Sequence, residues 1–154
     1  KTRKNDFKFR PSGSSFGSRV MALKNWVPQV RNAFNQALSD HIVITQGKLA
    51  KACPKDTGRM ASSFYIGKNQ PDLSVRPENW ADKGAEKISI PKYSQEITAD
   101  GDWYISNNLK YSERVAYNPI WAKGGAGSNW YTNITSQQST DFQKRLTQKL
   151  RKIK

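Results

Sequence analysis

Asp56, Thr57 and Gly58 are the residues of this chain whose types and spacing most suggest catalysis. Asp-Thr-Gly is the working tripeptide of aspartic proteases, where two carboxylates share one proton. The flanks argue against that use. In those enzymes the tripeptide follows a hydrophobic strand, whereas here Cys53-Pro54-Lys55 precedes it and the basic Arg59 follows. A second Asp-Thr-Gly is absent, so only another copy of the chain could bring the partner carboxylate. The same residues have a structural use. Pro54 cannot continue a helix and biases Cys53 away from helical angles. Asp56 and Thr57 can bond their own downstream backbone in a turn, and Gly58 tolerates a positive φ. Met60, Ser62 and Phe64 then alternate with Ala61, Ser63 and Tyr65, which predicts a strand over 59–66. Pro54, Asp56, Thr57, Gly58 and Arg59 are therefore expected to form a corner between a helix and a strand, with Arg59 placed to pair with a carboxylate there or on a neighbour.

Little other chemistry is on offer. Cys53 is the single cysteine, which excludes an internal disulfide and a thiolate zinc cluster and fits a reducing compartment. His41 is the single histidine. It sits in a helical pattern beside Ile42, where a packed or half-exposed ring is expected rather than a catalytic base. No metal site and no cofactor are expected. With no signal-peptide pattern and no apolar run of spanning length, the chain reads as a soluble intracellular product.

The 154 residues are one domain's worth. Residues 1–18 are basic, polar and rich in Gly and Ser, and read as a flexible arm in which Phe7, Phe9 and Phe16 are available to dock on a partner. Residues 19–25 suggest a short helical turn through Val20, Met21 and Leu23. Pro28 suits the first turn of a helix. From there Val27, Val30, Phe34, Leu38, Ile42, Thr45, Leu49 and Ala52 recur at three- and four-residue steps, predicting a long amphipathic helix of about seven turns that ends at the corner.

Beyond the strand, Pro71, Pro77, Pro91 and a polar run predict an irregular insertion over 68–92 that Trp80 pins to the body. Asp100-Gly101 between residues 94–99 and 103–107 predicts a hairpin, with Trp103 and Ile105 on one face. Leu109, Tyr111, Val115 and Tyr117 suggest a short helix with Glu113 and Arg114 outward. Residues 118–131 form a glycine- and aromatic-rich loop that would hold Trp121 and Trp130 ready for a partner. Ile134, Gln138, Phe142, Leu146, Leu150 and Ile153 predict one C-terminal helix, capped by Ser136 or Ser139.

Charge is concentrated at the ends. Residues 1–31 carry eight Lys/Arg against one Asp and residues 141–154 carry six against one, while the long middle is nearly balanced; the total is +14. Basic ends suit a polyanion or an acidic protein surface. A nucleic-acid-binding module is the competing function, although no helix-turn-helix pattern, zinc spacing or aromatic-basic strand motif supports it.

The order of motifs resembles a family of neck, or tail-completion, proteins of tailed bacteriophages. Members show Pro-x-Asp-Thr-Gly-Arg-Leu and, later, Tyr-Ala-x-x-Val-Glu-aromatic-Gly. Pro54, Asp56, Thr57, Gly58, Arg59 and Met60 match the first, and Tyr111, Val115 and Tyr117 match the second with Ser112 for the usual Ala. Ala116 and Asn118 stand where the family has Glu and Gly. The resemblance implies an α+β fold, with a long N-terminal helix and a C-terminal helix packed on a small antiparallel sheet behind a basic arm. It also implies a structural virion protein rather than an enzyme: a homo-oligomeric ring, sixfold or twelvefold, that joins head to tail. Its partners would be head-connector and tail proteins, with passing contact to genomic DNA and none to a membrane. It would assemble in the host cytoplasm. Phe7, Phe9, Trp121, Gly124, Gly125 and Trp130 are the expected interface residues, whereas Tyr111 and Val115 are expected in the core.

Overall fold

The structure, a computed structural model, describes residues 13–54, 58–78, 80, 88–117 and 129–153, with side chains from residue 19 onward. Its elements in chain order are helix α1 (Gly13–Ala52), strand β1 (Tyr65–Lys68), strand β2 (Trp103–Ser106), and helices α2 (Ser112–Tyr117), α3 (Trp130–Thr135) and α4 (Gln138–Leu150). The fold is α+β: one long N-terminal helix packs against both the C-terminal helices and a two-stranded antiparallel sheet.

α1 is longer than its sequence pattern predicts. Its 40 residues run straight through Pro28, so the proline is interior rather than first-turn, and residues 13–18 open the helix instead of belonging to a flexible arm. A proline there removes one helical donor and crowds the preceding turn. Residues 21–29 are exposed throughout, so the carbonyl left unpaired at Lys24 can be met by water. Pro54 then stops the helix as expected, with the Cys53 amide making the final bond to the Leu49 carbonyl at 2.9 Å.

The C-terminal half of α1 carries the core. Leu49, Ala50 and Cys53 pack with Met60, Ala61, Phe64, Leu109, Ala116 and Trp130, while Ile42 meets Ile66 and Ile97 in a second cluster. α4 lies antiparallel on the same helix. Phe142 sets its ring against Phe34, with centroids 5.5 Å apart and nearly perpendicular planes. Lys48–Asp141 at 2.6 Å and Asp40–Lys149 at 2.8 Å fix the register of the two helices.

Three expectations about local structure are corrected. Residues 59–64 are not strand. The Ser62 amide bonds the Gly58 carbonyl at 3.0 Å and the Ser63 amide bonds that of Met60, making a tight turn, and β1 begins only at Tyr65. Met60 through Phe64 are all buried, so what reads as alternation is a run of mostly small residues buried on every side. Residues 94–99 do not pair with β2 either. β2 pairs with β1, Ile105 opposite Ile66 and Tyr104 opposite Gly67, and the Asn69 amide bonds the Asp102 carbonyl at 2.7 Å where the ladder closes. The 94–99 segment turns to α1 instead, the Ala99 amide donating to Asn35 Oδ1 at 3.0 Å. Gly67 is required in β1, because a Cβ there would come within 2.3 Å of the Gln70 carbonyl oxygen. Lastly, the C-terminal helix begins at Gln138 after the separate α3, and neither Ser136 nor Ser139 is its N-cap; Gln137 is.

Within β2 the expected sidedness is present. Trp103 and Ile105 pack against the Ile42 cluster, and Tyr104 is exposed. α2 forms where the spacing predicts it, with Glu113 and Arg114 outward.

Candidate assembly surface

The corner is built for geometry. Gly58 has φ 71°, the left-handed region that glycine enters without penalty. Arg59 Nε donates to the Arg76 carbonyl at 2.9 Å, and Arg76 Nε donates back to the Ser62 carbonyl at 3.0 Å. A second guanidinium nitrogen of Arg76 reaches the Ser89 carbonyl at 2.9 Å, while the Ser89 amide donates to Ser62 Oγ at 3.1 Å. Buried Gln46 completes the stitching, its Nε2 donating to the carbonyls of Phe64 and Pro91. Two arginines and a glutamine thus satisfy backbone carbonyls that the irregular segments leave over. Asp56 and Thr57 lie outside the described residues, and Pro54 is half-buried at the end of α1.

The remaining predicted site residues divide. Trp130 is not an interface residue: at 3% exposure it is core, edge-on to Phe64 with its Nε1 donating to the Val115 carbonyl at 3.4 Å. The glycines before it suggested an open loop, but the chain has entered α3 by Trp130. Tyr111 is 38% exposed rather than core, whereas Val115 packs on the core as expected. Tyr117 is exposed and meets Tyr131 edge-on at 5.4 Å. Burial and Tyr117 together push the Tyr131 phenol above its ordinary value. Phe7, Phe9, Trp121, Gly124 and Gly125 lie outside the described residues. Trp80 is half-buried under the Arg76 guanidinium, 4.4 Å from its ring centre.

What the sequence pattern missed is the first half of α1. Val20, Leu23, Val27 and Val30 follow one another at helical steps and run on into Phe34, Leu38 and Ile42, so one apolar stripe extends along the whole helix. The body covers it only from about Phe34. Leu23, Trp26 and Val27 are 59%, 51% and 56% exposed. At 1.5 Å per residue, residues 13–30 extend about 27 Å. Arg19, Lys24 and Arg31 are the charges of residues 19–31, with no acid among them.

Where the covered part of the stripe begins, a cleft of about 480 Å³ opens between α1, α4 and the loop before β2. Phe34, Leu38, Ile42, Trp103 and Phe142 line it, with Ala99 and Asp102 at its edge. Segment 94–102 beside it carries Glu96, Asp100 and Asp102 and no base. Arg31 pairs with Asp100 at 2.9 Å, an exposed contact. His41 faces the same cleft, its ring 5.5 Å from Phe142, and burial together with Arg145 and Lys48 holds its pKa below the ordinary value.

No group of three or more potential metal ligands occurs among the described residues, and no described helix is long and apolar enough to cross a membrane. Comparison with family models, curated proteins and solved structures finds no match to this chain.

Proposed function

We propose that this chain is a structural subunit of a tailed-bacteriophage neck or tail-completion ring, joining head to tail without catalysing a reaction. The ordered pair of motifs at 54–60 and 111–117 motivates the reading. One observation carries it furthest: the apolar stripe of α1 runs on beyond the body, where Leu23 and Val27, with Trp26 beside them, stay exposed. Exposed aromatic and aliphatic side chains aligned on one helix are surface kept for a partner. The described part of the corner supports the same reading, since Gly58 supplies a bend and Arg59 a backbone tether.

The test is made in the particle. Phage grown with this gene silenced should accumulate filled heads and finished tails that do not join, and tagged protein should image as a ring on the head–tail axis. Joined, infectious particles without the protein would refute the role. A nucleic-acid-binding module would instead retain free duplex, with affinity falling steeply as salt rises.

A further inference from the structure

We infer that the uncovered N-terminal half of α1 docks into the acidic-edged apolar cleft of a second copy of this chain. The inference deepens the ring reading above and rests on it. It starts from a geometrical restriction: the arm and the cleft belong to the same helix. Leu23, Trp26 and Val27 lie on the rod whose later residues, Phe34, Leu38 and Ile42, form the cleft wall. A continuous helix cannot fold back on itself, so the arm cannot fill its own cleft. It can fill another's.

The two surfaces match in chemistry. The arm presents Trp26 with adjacent aliphatic side chains, and the cleft, walled mainly by Phe34, Leu38, Ile42, Trp103 and Phe142, has room for a tryptophan. Residues 19–31 carry a net +3 and residues 94–102 a net −3; Arg31 and Asp100 pair within one chain, which leaves +2 on the arm and −2 at the cleft for contact between copies. Glu96 and Asp102 form no ion pair among the described residues, which leaves them for Arg19 and Lys24 of an incoming arm. Opposite charge at the rim sets orientation and partner choice, and the buried aromatic supplies the affinity. Arm-to-cleft contact is heterologous, since each copy gives one surface and receives with another. Repetition of it closes a ring or extends a filament.

Complementation between two damaged surfaces tests this directly. The arm variant is Trp26→Glu with Val27→Asp; the cleft variant is Ala99→Arg with Asp102→Lys. All four positions are exposed, so both variants should keep wild-type circular dichroism, and Leu23→Lys provides a second arm probe. In sedimentation velocity the wild-type chain should gain mass with concentration. Each variant alone should associate at least about thirty-fold more weakly. A one-to-one mixture of the two should give a heterodimer, because one intact arm and one intact cleft remain.

Three results would overturn the contact. They are a wild-type chain still monomeric at roughly 100 μM, arm variants that associate like wild type, and a mixture that stays monomeric. Vesicles of phosphatidylcholine and phosphatidylserine add a fourth. If the arm substitutions abolish vesicle binding yet leave self-association intact, the arm faces a membrane and the contact is wrong. The contact and the virion role fail separately. A neck ring that the variants still build removes the contact and keeps the role, whereas mixing rescue in a protein missing from the particle does the reverse.

Discussion

Arg76 holds its guanidinium carbon 4.4 Å from the centre of the Trp80 ring while its Nε donates to the Ser62 carbonyl at 3.0 Å. One side chain therefore ties the irregular insertion to the turn at the end of α1. Arg76→Ala removes two charge-assisted hydrogen bonds and leaves the carbonyls of Ser62 and Ser89 without that donor. The expected loss is on the order of 3 kcal/mol of unfolding free energy by urea titration. Arg76→Lys should recover less than half, because an ammonium cannot reproduce the planar fork. Full recovery by lysine would show that charge alone matters at this site.

Trp130 tests core against interface. At 3% exposure, packed on Phe64, its replacement by alanine should cost about 3–5 kcal/mol, with Trp130→Phe losing much less. An interface tryptophan would behave otherwise, its alanine variant melting like wild type and failing only in assembly.

Gly58 is the part of the Asp-Thr-Gly run whose role the backbone states outright. With φ at 71°, Gly58→Val forces a β-branched residue into the left-handed region and should destabilise the chain by about 1–3 kcal/mol. Gly58→Asn should be milder, since asparagine tolerates that region better. A valine variant with an unchanged melting midpoint would show that the turn relaxes without cost.

Legibility in the sequence follows the range of the interactions. The C-terminal half of α1, α2 and the face of α4 were readable because their period is local and nothing interrupts it. Pro28 misled because a lost helical bond is disqualifying only where water cannot replace it, and the residues around it are exposed. Asp100-Gly101 misled for the opposite reason. A turn signal is local, but the partner of β2 is Tyr65–Lys68, across the whole insertion, and no short-range pattern encodes that pairing. The run from Met60 to Phe64 imitated a strand because small residues at a crowded turn alternate by accident. In the candidate site, Val20 and Leu23 were already in step with Val27 and Val30. Placing a helix start at Pro28 cut one stripe in two and hid Trp26.

His41 makes the fold's pH response predictable in sign. Its ring lies against Phe142 with centroids 5.5 Å apart. Burial, then Arg145, hold its pKa below the ordinary 6.5; Asp141 opposes them and Lys48 adds to them. The folded chain thus keeps the imidazole neutral at pH values where the unfolded chain has begun to protonate it. In that window the unfolded state binds more protons, so stability rises with pH. The contribution is complete above about 6.5 and is lost as pH falls below it. Asp141 does not mask the effect. Its hydrogen bond from Lys48 holds the carboxyl below 3.8, so its own stabilisation persists through the His41 window and fades only at more acid pH. Melting temperature should therefore be flat from about pH 8 to 7 and decline from about pH 6.5 to 5. His41→Gln should flatten that decline while leaving any loss near pH 4 in place. An undiminished slope in His41→Gln would assign the acid sensitivity to other groups and show that the ring protonates freely in the folded chain.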